Sequence, residues 1–169
     1  MKVIETERLV LRKLSIEDSA FILDLLNQPS FLRFIGDRGV RSIDDAEKYL
    51  LQGPMDSYAR QGFGLYLAEL KDGHIPAGIC GLIKREALDD IDIGFAFLPQ
   101  FWSKGYAFEA SSAVMAYARD VLKLNRVVAI VAPDNERSIR VLERIGLNFE
   151  RVMIWPGSGE ELKLYASDG

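Results

Sequence analysis

The sequence has 169 residues, of which 49% are hydrophobic and 27% are charged. This length and composition are typical of a single globular domain, residues 1–169, with enough apolar side chains to bury one core. The formal net charge of −4 provides no basic excess to neutralise a phosphate backbone, so we expect no nucleic-acid partner.

The periodicity of apolar residues predicts the elements in chain order. Strands are expected at residues 7–14, 63–70, 75–84, 91–98, 127–131, 149–155 and 161–166. Helices are expected at residues 16–27, from 42 toward 60, from 105 to about 120, and at 136–145. Capping patterns begin the first two helices, and Gly146 suits a left-handed end of the last one. This order predicts a mixed α/β (α+β) fold, with helices on both faces of one mixed sheet.

Metal and membrane partners are disfavoured by the residue types present. The chain has one cysteine, Cys80, and one histidine, His74, so neither an internal disulfide nor a Cys/His zinc site can form. No apolar run approaches the roughly 20 residues that span a bilayer, and the N-terminal residues lack the apolar core of a secretion signal. We therefore expect a cytoplasmic protein without a metal site or a membrane partner.

The stretch over residues 91–110 runs from a strand through a short turn directly into a helix. The first amides of a helix have no internal partner, and the helix dipole adds partial positive charge there. Such a turn suits phosphate or pyrophosphate, because Gly105 allows close backbone approach and Lys104 adds a formal charge. Spacing alone leaves ordinary turn chemistry as the alternative.

This turn also carries a family resemblance. Its sequence, Trp102-Ser103-Lys104-Gly105-Tyr106-Ala107-Phe108-Glu109-Ala110, resembles the acetyl-CoA motif of the GNAT superfamily of N-acetyltransferases, in its RimJ/RimL-like branch. Residues 5–12, 92–97 and 135–146 resemble three other segments of that branch, in the same order. The resemblance covers nearly the whole chain. It implies a GNAT-like fold whose central twisted sheet is mixed, mostly antiparallel and of about seven strands.

The resemblance implies how acetyl-CoA would be held without a metal. The amides of Ser103, Lys104, Gly105, Tyr106 and Ala107 would cradle the pyrophosphate, and the side chains of Trp102 and Tyr106 would form walls of the cofactor site, with core packing as the alternative. Because Ser103 replaces the glycine that is usual in the branch, the turn is expected to be tighter or shifted.

Two further segments are implied to contact the pantetheine arm. The backbone of Phe95, Ala96 and Phe97 would pair with the arm like an added strand, and an amide there would stabilise the thioester oxyanion. Asn135 would hydrogen-bond the arm, and Ser138 would face the cofactor.

The resemblance also suggests a general acid. Many GNAT enzymes carry a tyrosine at the position of Leu142, so the role is assigned instead to Ser138, as in some relatives of the RimL type. The alternative for Ser138 is a hydrogen bond to a local backbone group.

The general base is less well defined. Asp92, on the central strand, is the first candidate, and a solvated strand residue is the alternative reading of the same position. Other candidates are carboxylates acting through water or lying near the last hairpin: Glu86, Asp90, Glu160 and Glu161.

The activity implied is acetyl transfer from acetyl-CoA to a primary amine, by direct attack of the amine on the thioester. A protein or peptide N-terminal amine is the favoured acceptor, with a small amine (polyamine, aminoglycoside or amino acid) as the alternative. A second class of function is an acyl-CoA-binding sensor or assembly module with little catalysis, which the leucine at position 142 favours. The sequence leaves both a monomer and a homodimer open.

Overall fold

The computed structural model describes residues 1–167, so the last two residues of the domain predicted over 1–169 lie outside the described part. Eight strands form one sheet in the order β1-β2-β3-β4-β5-β6-β8-β7. Every pairing is antiparallel except the parallel one between β5 and β6. This confirms the predicted mixed, mostly antiparallel sheet. The strands are β1 (Lys2–Glu5), β2 (Leu9–Lys13), β3 (Leu65–Leu70), β4 (Ile75–Ile83), β5 (Asp92–Phe97), β6 (Val128–Val131), β7 (Leu147–Ile154) and β8 (Glu161–Ser167).

Helices lie on both faces of this sheet, as predicted. Two single 3₁₀ turns, Ile16–Asp18 and Pro99–Phe101, precede α1 and follow β5. The α-helices are α1 (Ser19–Leu26), α2 (Pro29–Phe34), α3 (Ile43–Gln52), α4 (Pro54–Gln61), α5 (Tyr106–Asp120) and α6 (Glu136–Arg144).

The predicted caps are confirmed at three helix ends. Ser15 and Asp18 form a capping box at the first turn, and the Ser42 hydroxyl accepts a hydrogen bond from the Asp45 amide at 3.1 Å. After α6, Gly146 has a φ of +97°, the left-handed conformation that glycine adopts at low cost.

One expectation about the elements was wrong, and two elements were not predicted. The predicted helix from residue 42 toward 60 is broken into α3 and α4 at Gly53, because Pro54 has no N–H and its ring would clash inside a helix. The strand β1 was not predicted, since Lys2–Glu5 contains two apolar residues between charged ones. The helix α2 was also not predicted, although the fixed φ of Pro29 suits the first helical position.

The core is divided between the two faces of the sheet. Along β3, Tyr66 and Ala68 join the cluster that α5 covers, whereas Leu67 joins the cluster that α1 and α3 cover. This alternation is the period-two pattern of a strand buried on both sides. It fixes the register of the central strands, so the backbone that lines the site is held from both faces.

The sheet opens between its two parallel strands. One Cα pair, Asp92 with Val128, joins β5 to β6, and the two strands then separate. Their carboxyl ends point to the same side of the molecule, where α5 and α6 begin. In α/β sheets, such a crevice beyond the carboxyl ends of parallel strands is the usual place for a ligand.

Candidate functional site

The edge of β5 that borders the opening has unpaired backbone groups. The Leu98 amide donates to Ala77 of β4 at 2.9 Å, whereas the Ile91 carbonyl accepts from Val128 of β6 at 3.0 Å. Backbone groups of a strand alternate between its two edges, so Phe95 and Phe97 face the opening, while Ala96 is paired with Ile79 of β4. The peptide groups of Ala96 are therefore used within the sheet, and Phe95 presents both an N–H and a C=O to the opening.

The side chain of Trp102 occupies part of this edge. Its indole Nε1 donates to the Phe97 carbonyl at 2.9 Å, and the Arg137 guanidinium lies 3.9 Å from the ring centroid. Trp102 thus closes the end of the open edge, and it both packs against the core and lines a cavity beside α6. Arg137 was not singled out in the sequence, because its position next to Trp102 depends on how α6 packs.

The turn before α5 has the backbone geometry of an anion-binding loop. Ser103 has a φ of +62° and Gly105 a φ of +83°, both in the left-handed region. Alternating right- and left-handed residues direct successive N–H groups toward one concave side, where they bind anions. The serine at 103 therefore takes a left-handed conformation that glycine adopts more readily, at a cost in strain.

The side chain of Tyr106 packs against the core. Its ring packs edge-on against Phe101 at 6.4 Å between centroids and lies under the Arg8 guanidinium at 4.4 Å. The side chain thus follows the core-packing alternative, and only its amide belongs to the turn. Arg8 and its partner Glu109 were also missed as site residues, although both stand inside the segments that carry the family resemblance.

Two cavities meet at the opening. The larger, of about 960 Å³, lies between the helices α2–α4 and the strands β4–β6, and the smaller, of about 80 Å³, lies beside Trp102 and α6. Both are lined by Phe95, Ala96, Asn135 and Ser138. The narrow cavity beside Trp102 and the wide cleft therefore adjoin at these four residues.

Asn135 and Ser138 stand at this junction. The Asn135 Oδ1 accepts from the Ser138 amide at 3.3 Å and caps the first turn of α6. Within residues 1–167, neither the Asn135 amide nitrogen nor the Ser138 hydroxyl makes a hydrogen bond to protein. The hydroxyl is thus not consumed by a local backbone group, which was the alternative reading, and both groups are available to a ligand.

Asp92 lies at the point where the sheet opens. Its side chain is buried, 2% exposed, and accepts from Arg85 Nε at 3.1 and 3.3 Å. Burial raises the pKa of the Asp92 carboxyl to about 6, although the positive charge and hydrogen bond of Arg85 oppose the shift. The reading of Asp92 as a solvated strand residue was therefore wrong.

The other candidate carboxylates divide into two groups. Glu86 and Glu160 line the larger cavity, whereas Asp90 pairs with Arg126 at 3.0 Å and, like Glu161, is not among its lining residues. Leu142 is 2% exposed and lines the same cavity, so the position of the missing tyrosine presents an apolar wall.

Between residues 1 and 167, no three His, Cys, Asp or Glu side chains are grouped so as to hold a metal ion. The same part of the chain contains no helix that is both long and apolar enough to cross a membrane.

Known proteins resemble this chain over most of its length. The family model described as an acetyltransferase (GNAT) domain matches residues 8–148. The N-acetyltransferase YoaA of Bacillus subtilis, itself uncharacterised, is 28% identical over 153 residues, which are 89% of this chain and 85% of that protein.

Solved structures share the whole fold. The ribosomal-protein-S5-alanine acetyltransferase from Vibrio fischeri superposes with a TM-score of 0.81 at 18% identity, over 99% of this chain and 96% of that one. The microcin C7 self-immunity acetyltransferase MccE, solved in complex with acetyl-CoA and AMP, gives a TM-score of 0.79 at 20% identity, over 97% and 94% of the two chains.

Proposed function

Because this chain belongs to the GNAT acetyltransferase family, it is an N-acetyltransferase, and we propose that it uses acetyl-CoA to acetylate a primary amine. The observation that carries this proposal is the open edge of β5 beside a turn with two left-handed residues. A donor with a peptide-like arm and a pyrophosphate needs these two features side by side. MccE, which shares the fold, was solved with acetyl-CoA.

The residues present suit each part of the donor. Phe95 would hydrogen-bond the amides of the arm through its free N–H and C=O, and the amide nitrogen of Asn135 would do so from the other wall. The amides of residues 103–107 would hold the pyrophosphate. Acetyl-CoA supplies the reaction with an acetyl group activated as a thioester.

Two side chains are suited to the proton transfers. The amine nitrogen must lose a proton as its bond to the acetyl carbon forms, and the CoA sulfur must gain one as its bond to that carbon breaks. We assign the first proton to Asp92, whose pKa of about 6 suits a base near neutral pH, acting through water or Glu86. We propose that the Ser138 hydroxyl, at the junction of the two cavities, donates the proton that the CoA sulfur gains.

The favoured acceptor is the N-terminal amine of a protein or peptide, as in the RimJ/RimL-like branch. The wide cleft, of about 960 Å³, is at the upper end of small-molecule sites and suits the first residues of a chain. The Vibrio fischeri neighbour is named for the alanine of a ribosomal protein. A small amine remains the second candidate.

Binding and turnover are tested separately. Acetyl-CoA at millimolar concentration is expected to raise the melting temperature, because a ligand that binds the folded state stabilises it. Thiol release is then measured with short N-terminal peptides, polyamines, aminoglycosides and amino acids. No shift in melting temperature contradicts the donor. If the melting temperature rises but no acceptor leads to release of the CoA thiol, the protein is an acyl-CoA-binding module and does not acetylate these amines.

A further inference from the structure

The turn that would hold the pyrophosphate is bound from behind by a residue far away in sequence. Arg8 precedes β2, and its Nη1 donates to the carbonyl of Lys104 at 2.9 Å. The guanidinium also covers the ring of Tyr106 at 4.4 Å. A Cβ atom on Gly105 would stand 3.2 Å from Arg8 Nη2, a tight contact that the guanidinium would have to relieve by shifting, and the positive φ of Gly105 independently favours glycine.

Glu109 fixes the position of this arginine. Its carboxylate accepts three hydrogen bonds, from the Thr6 hydroxyl at 2.6 Å, the Arg8 amide at 2.8 Å and Arg8 Nε at 2.7 Å. The Glu109 side chain is 18% exposed, and that of Arg8 is 42% exposed. Since two of the contacts involve backbone or a short side chain, the guanidinium is held in one orientation over the turn.

This contact determines where an amide of the turn points. The Lys104 carbonyl and the Gly105 N–H belong to one planar trans peptide unit and therefore point in opposite directions. Because Arg8 holds the carbonyl on its own side, the Gly105 N–H is directed away from Arg8, toward the concave side of the turn. That N–H is one of the amides expected to bind the pyrophosphate.

The arginine also balances a negative charge at the anion site. Glu109 stands in the first turn of α5, where its carboxylate would repel a bound pyrophosphate. Hydrogen bonding and ion pairing with Arg8 place the compensating positive charge beside it. The loss of Arg8 would thus both free the Lys104–Gly105 peptide to rotate and leave Glu109 unpaired.

We propose that Arg8 is a positioning residue for the pyrophosphate of the acyl donor, acting through the Lys104 carbonyl and held by Glu109. The proposal rests on the proposed use of acetyl-CoA. It assigns to the segment before β2 a role in donor binding, separate from the amides that touch the donor. Its effect is confined to ligands that carry the pyrophosphate.

The test compares two donors in three proteins. Dissociation constants are measured by calorimetry for acetyl-CoA and for S-acetylpantetheine, which has the thioester and the whole pantetheine arm but neither the pyrophosphate nor the nucleotide. Arg8→Gln is expected to weaken acetyl-CoA binding by roughly 10- to 100-fold, the range for losing a hydrogen bond to a charged group, and to leave S-acetylpantetheine binding unchanged. Arg119→Gln is the matched control, since it removes one exposed ion pair at the far end of the same helix.

Arg8→Lys separates geometry from charge and is the second variant if Arg8→Gln does not fold. Lysine keeps the charge but cannot bridge Glu109 and Lys104 with a planar fork, so acetyl-CoA binding is expected to stay weakened. Native-like binding of acetyl-CoA by either variant overturns the proposal, and so does an equal loss for both donors. If the native protein binds no acetyl-CoA, the proposed function itself fails.

Discussion

Asp92 and Arg85 form an ion pair at the point where the sheet divides, with Arg85 Nε at 3.1 Å from one carboxylate oxygen and the Asp92 side chain 2% exposed. The guanidinium also lies 5.9 Å from the ring centroid of Trp155. This ion pair therefore lies both where β5 separates from β6 and in the wall of the larger cavity. The protonation state of Asp92 affects the stability of the fold and the ability of its carboxylate to act as the proposed base.

Asp92 is expected to make stability fall as the pH rises. Burial raises the pKa of its carboxyl from 3.8 to about 6, so the folded state binds the proton more tightly than the unfolded state. The contribution of the protonated Asp92 carboxyl to the free energy of unfolding is complete below pH 3.8 and is lost as the pH rises through about 6. For this shift of the pKa the loss is about 3 kcal/mol. Urea denaturation of the native protein and Asp92→Asn across this range is expected to show native stability falling relative to the variant.

Asp37→Asn is the control with the opposite sign. The hydrogen bond from Arg41, with one from the Gly39 amide, lowers the pKa of Asp37, so its stabilisation is present above pH 3.8 and is lost as the pH falls further. If the difference in the free energy of unfolding between the native protein and Asp92→Asn stays constant between pH 3.8 and 6, the pKa of Asp92 is not raised.

Ser138→Ala is expected to lower kcat by about 10²-fold or more with little change in KM for acetyl-CoA, if its hydroxyl supplies the proton to the departing thiolate. Ser112→Ala, on the side of α5, removes a hydroxyl outside both cavities and serves as the control. The measurement is thiol release at saturating acceptor, over a range of pH. Unchanged turnover and an unchanged pH profile would remove Ser138 from the mechanism.

Ser103→Gly is expected to stabilise the protein by about 0.5–1 kcal/mol. Replacing serine in a left-handed conformation removes a strain of roughly 1–2 kcal/mol. The greater conformational entropy of glycine in the unfolded chain opposes this gain by about 0.5–1 kcal/mol. The φ of +62° at Ser103 is the reason for the gain. Ser112→Gly, in the interior of α5, is expected to destabilise by about 0.5 kcal/mol. If Ser103→Gly and Ser112→Gly change the free energy of unfolding in urea by the same amount, the backbone of the turn at Ser103 is not strained.

The left-handed turn before α5 and most elements were predictable because their signals are local. Periodicity, capping residues and the segment around Gly105 each depend on neighbours in sequence. The break at Pro54 was equally local and was overlooked. By contrast, Arg8 and Glu109 are 101 residues apart, and the burial of Asp92 depends on how β6 and Arg85 meet it. Pairings of this kind arise from tertiary packing, which no local pattern in one sequence records.

Gly78 is expected to be needed for the spacing of β4 and β5. A Cβ atom there would stand 2.5 Å from the Ala96 carbonyl oxygen and 2.6 Å from the ring of Phe97. Because one of these contacts is backbone, Gly78→Ala must move β5 or break its pairing, and we expect a loss of roughly 1–3 kcal/mol. Gly94→Ala is the matched control in β5, since its Cβ would meet side chains at 3.6 and 3.8 Å, which is ordinary contact. Urea denaturation compares the two, and acetyl-CoA affinity is expected to fall for Gly78→Ala, since the displaced strand carries the open edge at Phe95. Stability equal to that of Gly94→Ala would show that the two strands separate at little cost.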